Sequence, residues 1–406
     1  MDSLTVIENG LAPHATTQEV VDLLAKEVTK DTKKPKSKRN LNPYFDLEII
    51  FDSGANQTKA LAKAGEVVQM IHFPSKARIV DGDISSDNIG NFGYSNTNYA
   101  VGKSADYYQG EWLEAREGNK IDYADIWFIG VLTHAKQLLL QAIKTRKRNN
   151  NNVKLRCWVR VLTLAKERKH EIEKLLKEIE SFTFADCTFE VTIGAIEILP
   201  EGYGSAITAW NLEKTAERVN ILDMGGGTLS YTSYTTDFDQ LDIIDRTIAD
   251  CGGVNAIVAA LQLGMSSRDN AGIQLYPELL EKALRTSKSK QVFYDFSSTI
   301  SNIHNAFLSS MNDWLKINPQ VQQLLKNVRF SLMNGEKVYL TGGGFSCLVI
   351  KEFITEYLIK TSSSTAKKRK KADDITLDSN LIIPLEDCHT LNITGLKELP
   401  SLIPQK

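Results

Sequence analysis

The sequence predicts an α/β protein made of two related lobes. The chain has 406 residues, which is too long for one ordinary hydrophobic core. Its composition is that of a globular protein, with 42% hydrophobic and 24% charged residues. Each half begins with a strand that ends in an aspartate, Asp52 or Asp223, followed by a hairpin turn that contains glycine and a hydroxyl residue. Strands then alternate with helices in both halves, as a duplicated α/β unit requires.

The charge and the cysteines argue against several classes of protein. A formal charge of -2 and a pI near 6.4 give no global footprint for nucleic acid or membrane, so direct sequence-specific binding of nucleic acid is not expected. The five cysteines are scattered without a CxxC pair, and neither a zinc site nor a disulfide framework is expected. Neither a secretory leader nor an apolar run of transmembrane length is seen, which predicts a cytoplasmic protein.

Residues 1–43 are predicted to be an N-terminal extension. Residues 16–30 have the spacing of an amphipathic helix, and Thr16 and Glu19 have the spacing of a capping box. The segment 32–43 is basic, contains proline and lacks periodicity, which is typical of a tether. The helix is expected either to bind a partner through its apolar face or to dock on its own lobe.

Residues 44–213 are predicted to form the first lobe. Two strands, at 44–51 and 66–73, lie on either side of a polar turn at 52–59. Helical and strand patterns then alternate, with helices at 124–147, 164–182 and 203–213 and strands at 153–163 and 188–199.

Residues 214–345 repeat this order and are predicted to form the second lobe. It opens with a strand, a glycine turn and a strand over 218–234. The remaining patterns predict a strand at 240–248, a helix at 252–263, helical stretches over 277–326 and a strand at 337–344.

The C-terminal segment 346–406 is predicted to return to the first lobe. Apolar residues at 380–385 indicate that this part of the chain rejoins the fold. The basic stretch 361–374 is predicted to be an exposed loop, because no core accommodates five adjacent lysines and arginines.

Two hairpin turns carry groups suited to binding an anion. In DSGANQTK (52–59) the turn points backbone N–H groups and small hydroxyls into one space, and Lys59 adds positive charge. Asp-x-Gly turns are also common in plain hairpins, so this turn alone has an equally simple structural explanation. In LDMGGGTLS (222–230) three successive glycines let a ligand approach the backbone closely, which a plain hairpin rarely needs. The second turn is neither a Walker loop nor a Rossmann fingerprint.

Two further motifs add a glycine loop and a carboxylate. LTGGGFS (340–346) lies between a strand and a helical pattern, where it either presents N–H groups to a nucleotide or simply begins a helix. IEILPEGYGSA (196–206) places Glu197 near a strand end. A glutamate there can orient or help deprotonate a water that attacks a γ-phosphate. An exposed glutamate at a strand end is otherwise only solvated.

In their order along the chain, the four motifs resemble those of the actin superfamily. They are similar to its phosphate-1, connect-1, phosphate-2 and adenosine motifs over roughly residues 44–360. The motif Glu-x-x-Pro-x-Gly-Tyr, from Glu197 to Tyr203, resembles that of the ParM-like plasmid-segregation actins of bacteria more than that of MreB. The resemblance implies an actin-like fold, in which two duplicated ribonuclease-H-like lobes enclose a central cleft for ATP and Mg²⁺.

The resemblance also implies roles for individual residues. Asp52 and Asp223 would order magnesium and water, and Glu197 would position the attacking water. The remaining predicted binding residues would face the phosphates (Ser53, Gly54, Asn56, Lys59, Gly225, Gly226, Gly227 and Thr228), the ribose (Gly252 and Gly253), the adenosine (Gly342, Gly343 and Gly344) or the base (Glu281 and Arg285). Glu281 and Arg285 are one helical turn apart, a spacing that is also common on solvated helix faces.

The function implied by the resemblance is ATP hydrolysis coupled to the assembly of a homopolymeric filament. A head-to-tail interface that does not close into a ring gives an open filament. Such a filament would segregate plasmid DNA through a DNA-binding adaptor or another partner protein, or would serve as a cell-shape cytoskeleton. Other proteins of the same fold are alternatives: a sugar or small-acid kinase, a chaperone-type ATPase, or a nucleotide-binding regulator with little turnover.

Overall fold

The computed structural model describes residues 43–114, 121–145, 151–237, 240–266, 275–296, 299–370 and 378–404. The residues from Tyr44 to Lys406 form one compact unit. The predicted helix at 16–30 and all but the last residue of the tether at 32–43 lie outside the described residues.

A sheet of ten strands forms the first half of this unit. In chain order its strands are β1 (Phe45–Ser53), β2 (Gln57–Ala64), β3 (Val67–Pro74), β4 (Lys76–Val80), β5 (Asn91–Tyr94), β6 (Thr97–Val101), β7 (Gly110–Glu114), β8 (Asn152–Thr163), β9 (Ser181–Phe184) and β10 (Cys187–Pro200). They lie side by side in the order β3-β2-β1-β8-β10-β9-β5-β6-β4-β7. The four strands predicted in this half are confirmed as β1, β3, β8 and β10.

Strand β1 is the centre of the part of this sheet that bears the predicted site. β2 runs antiparallel to β1 and β3 antiparallel to β2, whereas β8 is parallel to β1 and β10 parallel to β8. The sequence LEIIF in β1 is mostly apolar, which suits a strand covered on both faces. The polar turn predicted at 52–59 is shorter than expected, because β2 already begins at Gln57. Its residues pair with β1 in spite of their polar composition.

The helices of the first half are α1 (Ala124–His134), α2 (Lys136–Thr145), α3 (Lys169–Lys177) and α4 (Tyr203–Leu212). The single helix predicted at 124–147 is wrong, because the chain bends by 73° between α1 and α2. α1 is buried on nearly all sides whereas α2 is amphipathic, and one straight helix would not satisfy both. The helix predicted at 164–182 is shorter than expected, since residues 181–184 pair as β9. Among the described residues no single helix has the length and apolarity to cross a membrane, although α1 and α2 together meet that test as a bent pair.

The second half repeats the central topology of the first. Its sheet comprises β11 (Arg218–Met224), β12 (Leu229–Asp237), β13 (Gln240–Ala249), β16 (Val338–Thr341) and β17 (Ile382–Pro384), in the order β13-β12-β11-β16-β17. A separate hairpin pairs β14 (Phe293–Asp295) with β15 (Ile300–Asn302). β11 pairs antiparallel with β12 and parallel with β16, just as β1 pairs with β2 and β8. Asp52 and Asp223 therefore occupy equivalent strand ends, as the sequence predicted.

The helices of the second half are α5 (Val254–Ser266), α6 (Pro277–Arg285), α7 (His304–Ile317), α8 (Pro319–Met333), α9 (Leu348–Lys370) and α10 (Leu391–Thr394). The helical region predicted at 277–326 is interrupted by the β14–β15 hairpin. The loop predicted at 361–374 is wrong as far as Lys370, because α9 continues through that residue. Lysine and arginine are good helix formers, so a basic run extends a helix that is already anchored by its apolar first half.

Among the described residues, three large apolar clusters hold the unit together, and a small fourth one comprises Val80, Ala100 and Ala105. One fills the first half and another fills the second. The third lies at their junction and combines Ile50 and Leu162 of the first sheet with Ile221 of the second and Leu391 of α10. The prediction that 346–406 returns to the first lobe is wrong, because this segment contacts both halves. β17 pairs with β16 of the second sheet and α9 packs in the second cluster, whereas Leu391 lies at the junction.

Helix α4 and the C-terminal segment touch backbone to backbone at this junction. A Cβ atom on Gly204 would overlap the carbonyl oxygen of Asn392, and one on Gly395 would overlap the carbonyl oxygen of Gly204. Only glycine permits such a close approach of two backbones. These two glycines therefore fix the distance between α4 and the segment that carries Asn392.

Gly204→Ala is expected to lower the free energy of unfolding by about 2 kcal/mol, as overpacking does in a site that cannot expand. This loss outweighs the gain of about 1 kcal/mol that alanine has over glycine within a helix. Gly264→Ala in α5 is the matched control, because its methyl group would meet only the Ser310 hydroxyl, at 3.2 Å. Urea unfolding monitored by circular dichroism compares the two variants. Equal stabilities would show that the contact between α4 and the C-terminal segment is not a constraint.

Candidate functional site

The two equivalent strands, β1 and β11, each deliver a buried aspartate to the same region. Asp52 is 5% exposed and Asp223 is 6% exposed. Each is followed by a tight hairpin, closed by the pairs Ser53 with Thr58 and Met224 with Leu229. A buried carboxylate at the end of a strand, next to a glycine turn, is an unfavourable arrangement unless it is compensated by hydrogen bonds or cations.

The two hairpin turns lie against each other. A Cβ atom on Gly226 would lie 2.5 Å from Cγ of Asn56, so the asparagine side chain rests directly on the glycine. A Cβ atom on Gly227 would be 3.4 Å from Cβ of Ala55. Asn56 also forms a reciprocal amide pair with Asn255 of α5, with 2.9 Å for each of the two hydrogen bonds. The structure thus brings the DSGANQTK and LDMGGGTLS turns together, and it connects them by a polar contact that the sequence did not reveal.

Helix α5 begins directly on the second turn. The N–H groups of Gly253, Val254 and Asn255 donate to the carbonyl oxygens of the three turn glycines, at 3.1, 3.1 and 2.8 Å. These bonds satisfy the first N–H groups of the helix, which otherwise lack partners. A Cβ atom on Gly253 would lie 2.6 Å from the carbonyl oxygen of Gly226, which explains why glycine is needed there. Gly252 and Gly253 thus join the helix to the turn here, and their contact with a ribose stays a prediction.

The LTGGGFS loop packs on the end of β11. Gly342 has a φ of +92°, and a Cβ atom there would overlap Oδ1 of Asp223. The N–H of Gly344 donates to the carbonyl oxygen of Met224 at 2.8 Å. The carbonyl oxygen of Gly343 accepts from Arg285 at 3.2 Å. The loop therefore contacts Asp223 through Gly342, and through Gly343 it contacts Arg285, which is predicted to lie near the base.

Glu281 and Arg285 form an ion pair along α6. The carboxylate of Glu281 accepts from two guanidinium nitrogens of Arg285, at 2.9 and 2.6 Å. Because Arg285 also contacts Gly343, the pair is attached to the predicted adenosine loop rather than lying on an unrelated face of the helix. A cavity of about 340 Å³ adjoins the same loop beyond the carboxyl ends of β16 and β17, where open α/β sheets bind ligands.

Charged groups from both halves act on Asp223. Burial, and then the negative charge of Glu201, raise the pKa of this carboxyl group to about 6. A hydrogen bond from Asn392 and the positive charges of Lys59 and Arg246 oppose the rise. Lys59 belongs to the first hairpin and Arg246 to β13, so the electrostatic centre of the site is shared by both sheets.

Glu197 and Glu201 have different surroundings. Glu197 forms an ion pair with Arg160 at 2.6 Å, and its side chain is 39% exposed. Glu201 lies in the turn that leads into α4, and its Oε2 atom is buried without a hydrogen-bond partner among the described residues. Its charge acts on Asp223, and its carbonyl oxygen accepts from Arg246 at 3.0 Å. The structure therefore places Glu201, and not the predicted Glu197, beside the aspartate.

Sequence reasoning missed four residues of the site. Glu201 follows Pro200 within the IEILPEGYGSA motif, close in sequence to Glu197, whose role in positioning water stays a prediction. Arg246, Asn255 and Asn392 lie outside every motif, and no local pattern distinguishes them from ordinary polar residues. Only the packing of distant elements brings them to Asp223 and Asn56.

Comparisons with known proteins give the fold. No protein-family model matches the chain, and no curated protein matches it by sequence. Among solved structures, the archaeal actin homolog Ta0583 is similar over 87% of this chain and 98% of its own, with 16% identity and a TM-score of 0.56. The pSK41 ParM protein in its apo form covers 86% and 95%, with 13% identity and a TM-score of 0.50. A 15-stranded ParM filament from Clostridium botulinum covers 86% and 97%, with 14% identity and a TM-score of 0.53.

These likenesses confirm the fold class that the sequence predicted. The chain has an actin-like fold of the kind found in the archaeal homolog and in ParM. The archaeal homolog is also known in complex with ADP, and that structure matches at 15% identity with a TM-score of 0.53. At such identities the similarity establishes the fold, and the chemistry has to be argued from the residues of this chain.

The Asn56–Asn255 pair is expected to couple the two hairpins energetically. Asn56→Ala and Asn255→Ala should each destabilise the protein, and the double variant should lose about 1 kcal/mol less than the sum, because one interaction is removed only once. Thermal and urea unfolding of the four proteins provide the cycle. Asn56→Ala combined with Asn312→Ala is the control, since Asn312 bonds only within its own helix, to Leu308. Additive losses in the first cycle would mean that the amide pair contributes nothing.

Proposed function

We propose that this chain is an ATP hydrolase that binds Mg-ATP between its two hairpin turns and polymerises into filaments under the control of the nucleotide. The observation that carries the proposal is the meeting of two glycine-bearing hairpins, each at the end of an equivalent strand and each bearing a buried aspartate. Equivalent halves that face each other in this way form a cleft with two polar walls. The actin-like fold supports the assignment, because proteins with this fold are typically ATPases.

The phosphates would bind to backbone groups of both turns. Gly54 is required by local geometry, since a Cβ atom there would lie 2.8 Å from the carbonyl oxygen of Gln57. Gly225 closes the second turn by donating to the carbonyl oxygen of Thr228 at 2.9 Å. Turns of this kind present successive N–H groups to an anion. Lys59 adds a positive charge that acts on Asp223, which supports a role for this lysine at the phosphate end of the cleft.

Asp52 and Asp223 are suited to holding Mg²⁺ together with the nucleotide. No group of three or more histidine, cysteine or acidic residues among the described parts of the chain forms a metal site by itself. Mg²⁺ is usually bound by one or two carboxylates, with phosphate oxygens and water completing its octahedron, so two aspartates fit. When bound, the ion neutralises charge on the β- and γ-phosphates. The two aspartates would orient it and its waters.

We assign the positioning of the attacking water to Glu201 in place of Glu197. A group with this role needs a free carboxylate oxygen that faces the phosphate end. Glu201 has a buried, unbonded Oε2 and acts on Asp223, whereas the carboxylate of Glu197 is bound to Arg160. Arg246 holds the Glu201 backbone from the opposite sheet, so the two halves would have to be closed for the water to be placed correctly.

The proposed cellular role is that of a ParM-like bacterial actin in the cytoplasm. The lobes would be 44–213 and 214–345, with 346–406 in contact with both, and nucleotide binding would change the angle between them. Filaments of this chain would segregate plasmid DNA through an adaptor protein, or would form a cell-shape cytoskeleton. The similarity to a ParM solved as a filament supports this role.

Glu201→Gln is expected to lower the rate of phosphate release by about 10² or more, the scale of general acid–base catalysis, while ATP binding changes little. Glu197→Gln is the matched control, and its rate is expected to stay within about threefold of the wild type, because glutamine can still accept from Arg160, which also keeps its ion pair with Glu48. Phosphate release and equilibrium binding of ATP are measured on the same preparations. A larger loss in the Glu197 variant would return the role to Glu197.

Filament assembly is expected to depend on ATP. The purified full chain should sediment and form filaments in electron micrographs with Mg-ATP, and much less with EDTA. The Asp223→Ala variant should fail to assemble at the same ATP concentration, because it loses a carboxylate that orients the ion. A wild-type chain that hydrolyses ATP without forming polymer, and does so faster with a small-molecule acceptor, would favour a kinase instead.

A further inference from the structure

A chain of buried side chains runs from strand β16 to Asp223. The hydroxyl of Thr341 is 2.8 Å from that of Ser205, which donates to Oδ1 of Asn392 at 2.7 Å. The Nδ2 of Asn392 in turn donates to Oδ2 of Asp223 at 2.8 Å. Thr341 and Ser205 are fully buried, and Asn392 is 9% exposed. The four residues come from four different elements, β16, α4, α10 and β11, which meet at the junction of the two sheets.

The direction of this chain is fixed by its donors. Ser205 has one hydroxyl proton, and the carbonyl oxygen of Asn392 can only accept, so the Ser205 proton points to Asn392. The ionised carboxylate of Asp223 can only accept, so the amide nitrogen of Asn392 points to it and the amide oxygen faces Ser205. Thr341 then donates to Ser205 at 2.8 Å, with the carbonyl oxygen of Cys388 as a second acceptor at 3.4 Å. All donors point to Asp223, an arrangement in which successive hydrogen bonds strengthen one another.

The chain distinguishes the two oxygens of Asp223. Oδ2 is bound to Asn392, whereas Oδ1 lies over Gly342, at a position that only a glycine leaves open. Rotation of the carboxylate would break the bond to Asn392 and leave a buried polar group unsatisfied. The orientation of this acid is therefore set from helix α10, which lies 169 residues away in the sequence.

We propose that Asn392 is a positioning residue, which presents Oδ1 of Asp223 to the magnesium-bound end of the nucleotide. The proposal rests on the function proposed above and assigns to the C-terminal segment a part in the site that no motif indicated. Groups that bind and orient a metal-associated carboxylate are expected to change metal affinity about 10–100-fold when they are removed.

A purely structural role for Asn392 would have a different signature. Asn392 also fills the space between α4 and α10, where Gly204 packs on its backbone. Loss of that packing alone would lower stability without changing how much Mg²⁺ the nucleotide needs. The experiment therefore has to measure the requirement for Mg²⁺ apart from stability and apart from turnover.

The experiment compares equilibrium binding of ATP to the full chain at increasing Mg²⁺, by calorimetry, with binding in EDTA. For Asn392→Leu we expect ATP affinity in EDTA within about threefold of the wild type, and a half-maximal Mg²⁺ concentration raised about tenfold. Asn220→Leu is the matched control. Asn220 is a fully buried asparagine on the same strand as Asp223, and its amide donates to Glu336 and to the carbonyl oxygen of Lys337. This variant should lose stability with an unchanged Mg²⁺ requirement.

Ser205→Ala provides a second test that depends less on correct folding of a buried replacement. It leaves the Asn392 amide in place but removes the donor that orients it, and we expect the Mg²⁺ requirement to rise in the same direction by about threefold. An unchanged requirement in both Asn392→Leu and Ser205→Ala, or an equal rise in Asn220→Leu, would overturn the proposal while leaving ATP binding intact. A wild-type chain that binds no ATP at any Mg²⁺ concentration would instead overturn the proposed function, and this inference with it.

Discussion

The contact between Asn56 and Gly226 is the constraint on which the rest of the site depends. It is the place where the turn after β1 meets the turn after β11, and it exists only because position 226 has no side chain. The reciprocal bonds between Asn56 and Asn255 extend this contact to the first turn of α5. Since α5 is itself bonded to the carbonyl oxygens of the second turn, hydrogen bonds link both turns and the start of this helix. The separation of the two turns is therefore set by an asparagine side chain packed on a glycine backbone.

The burial of Asp223 has a cost that several neighbours offset. A carboxylate that is 6% exposed, with Glu201 nearby, is electrostatically unfavourable, and its raised pKa expresses this. Lys59, Arg246 and Asn392 stabilise the ionised form, each from a different element. A divalent cation between the aspartates and a triphosphate would stabilise it further. Under the proposed function, the site would therefore suit a metal–nucleotide complex better than either component alone.

The C-terminal segment has a larger part in this arrangement than its sequence indicates. It supplies Leu391 to the apolar junction and Asn392 to the aspartate, and Gly395 lets it approach α4 closely. At the very end of the described chain, Ser401 and Leu402 bond to the carboxylate of Glu48, at 3.0 and 3.2 Å. Because this segment contacts both sheets, a change in the angle between them would alter the contacts that the segment makes.

The sequence by itself determined the features that depend on neighbouring residues. The apolar strands, the two aspartates at strand ends and the glycine turns are local patterns, and both halves of the fold follow from them. Even here, local signals failed where packing decides. Residues 57–59 are polar yet begin β2, the helix predicted at 124–147 bends at Ala135, and the basic run after 361 continues a helix.

Only the tertiary structure decided which polar side chains share a space. The sequence singled out Glu197, and only the packing shows that its carboxylate pairs with Arg160 on a neighbouring strand and that Oε2 of Glu201 is buried. Asn255 and Asn392 have no motif at all, because their role is set by a partner 199 or 169 residues away. Strands are specified by residues a few positions apart in the chain. A site assembled from four elements depends instead on how those elements pack, and no local sequence pattern encodes their packing.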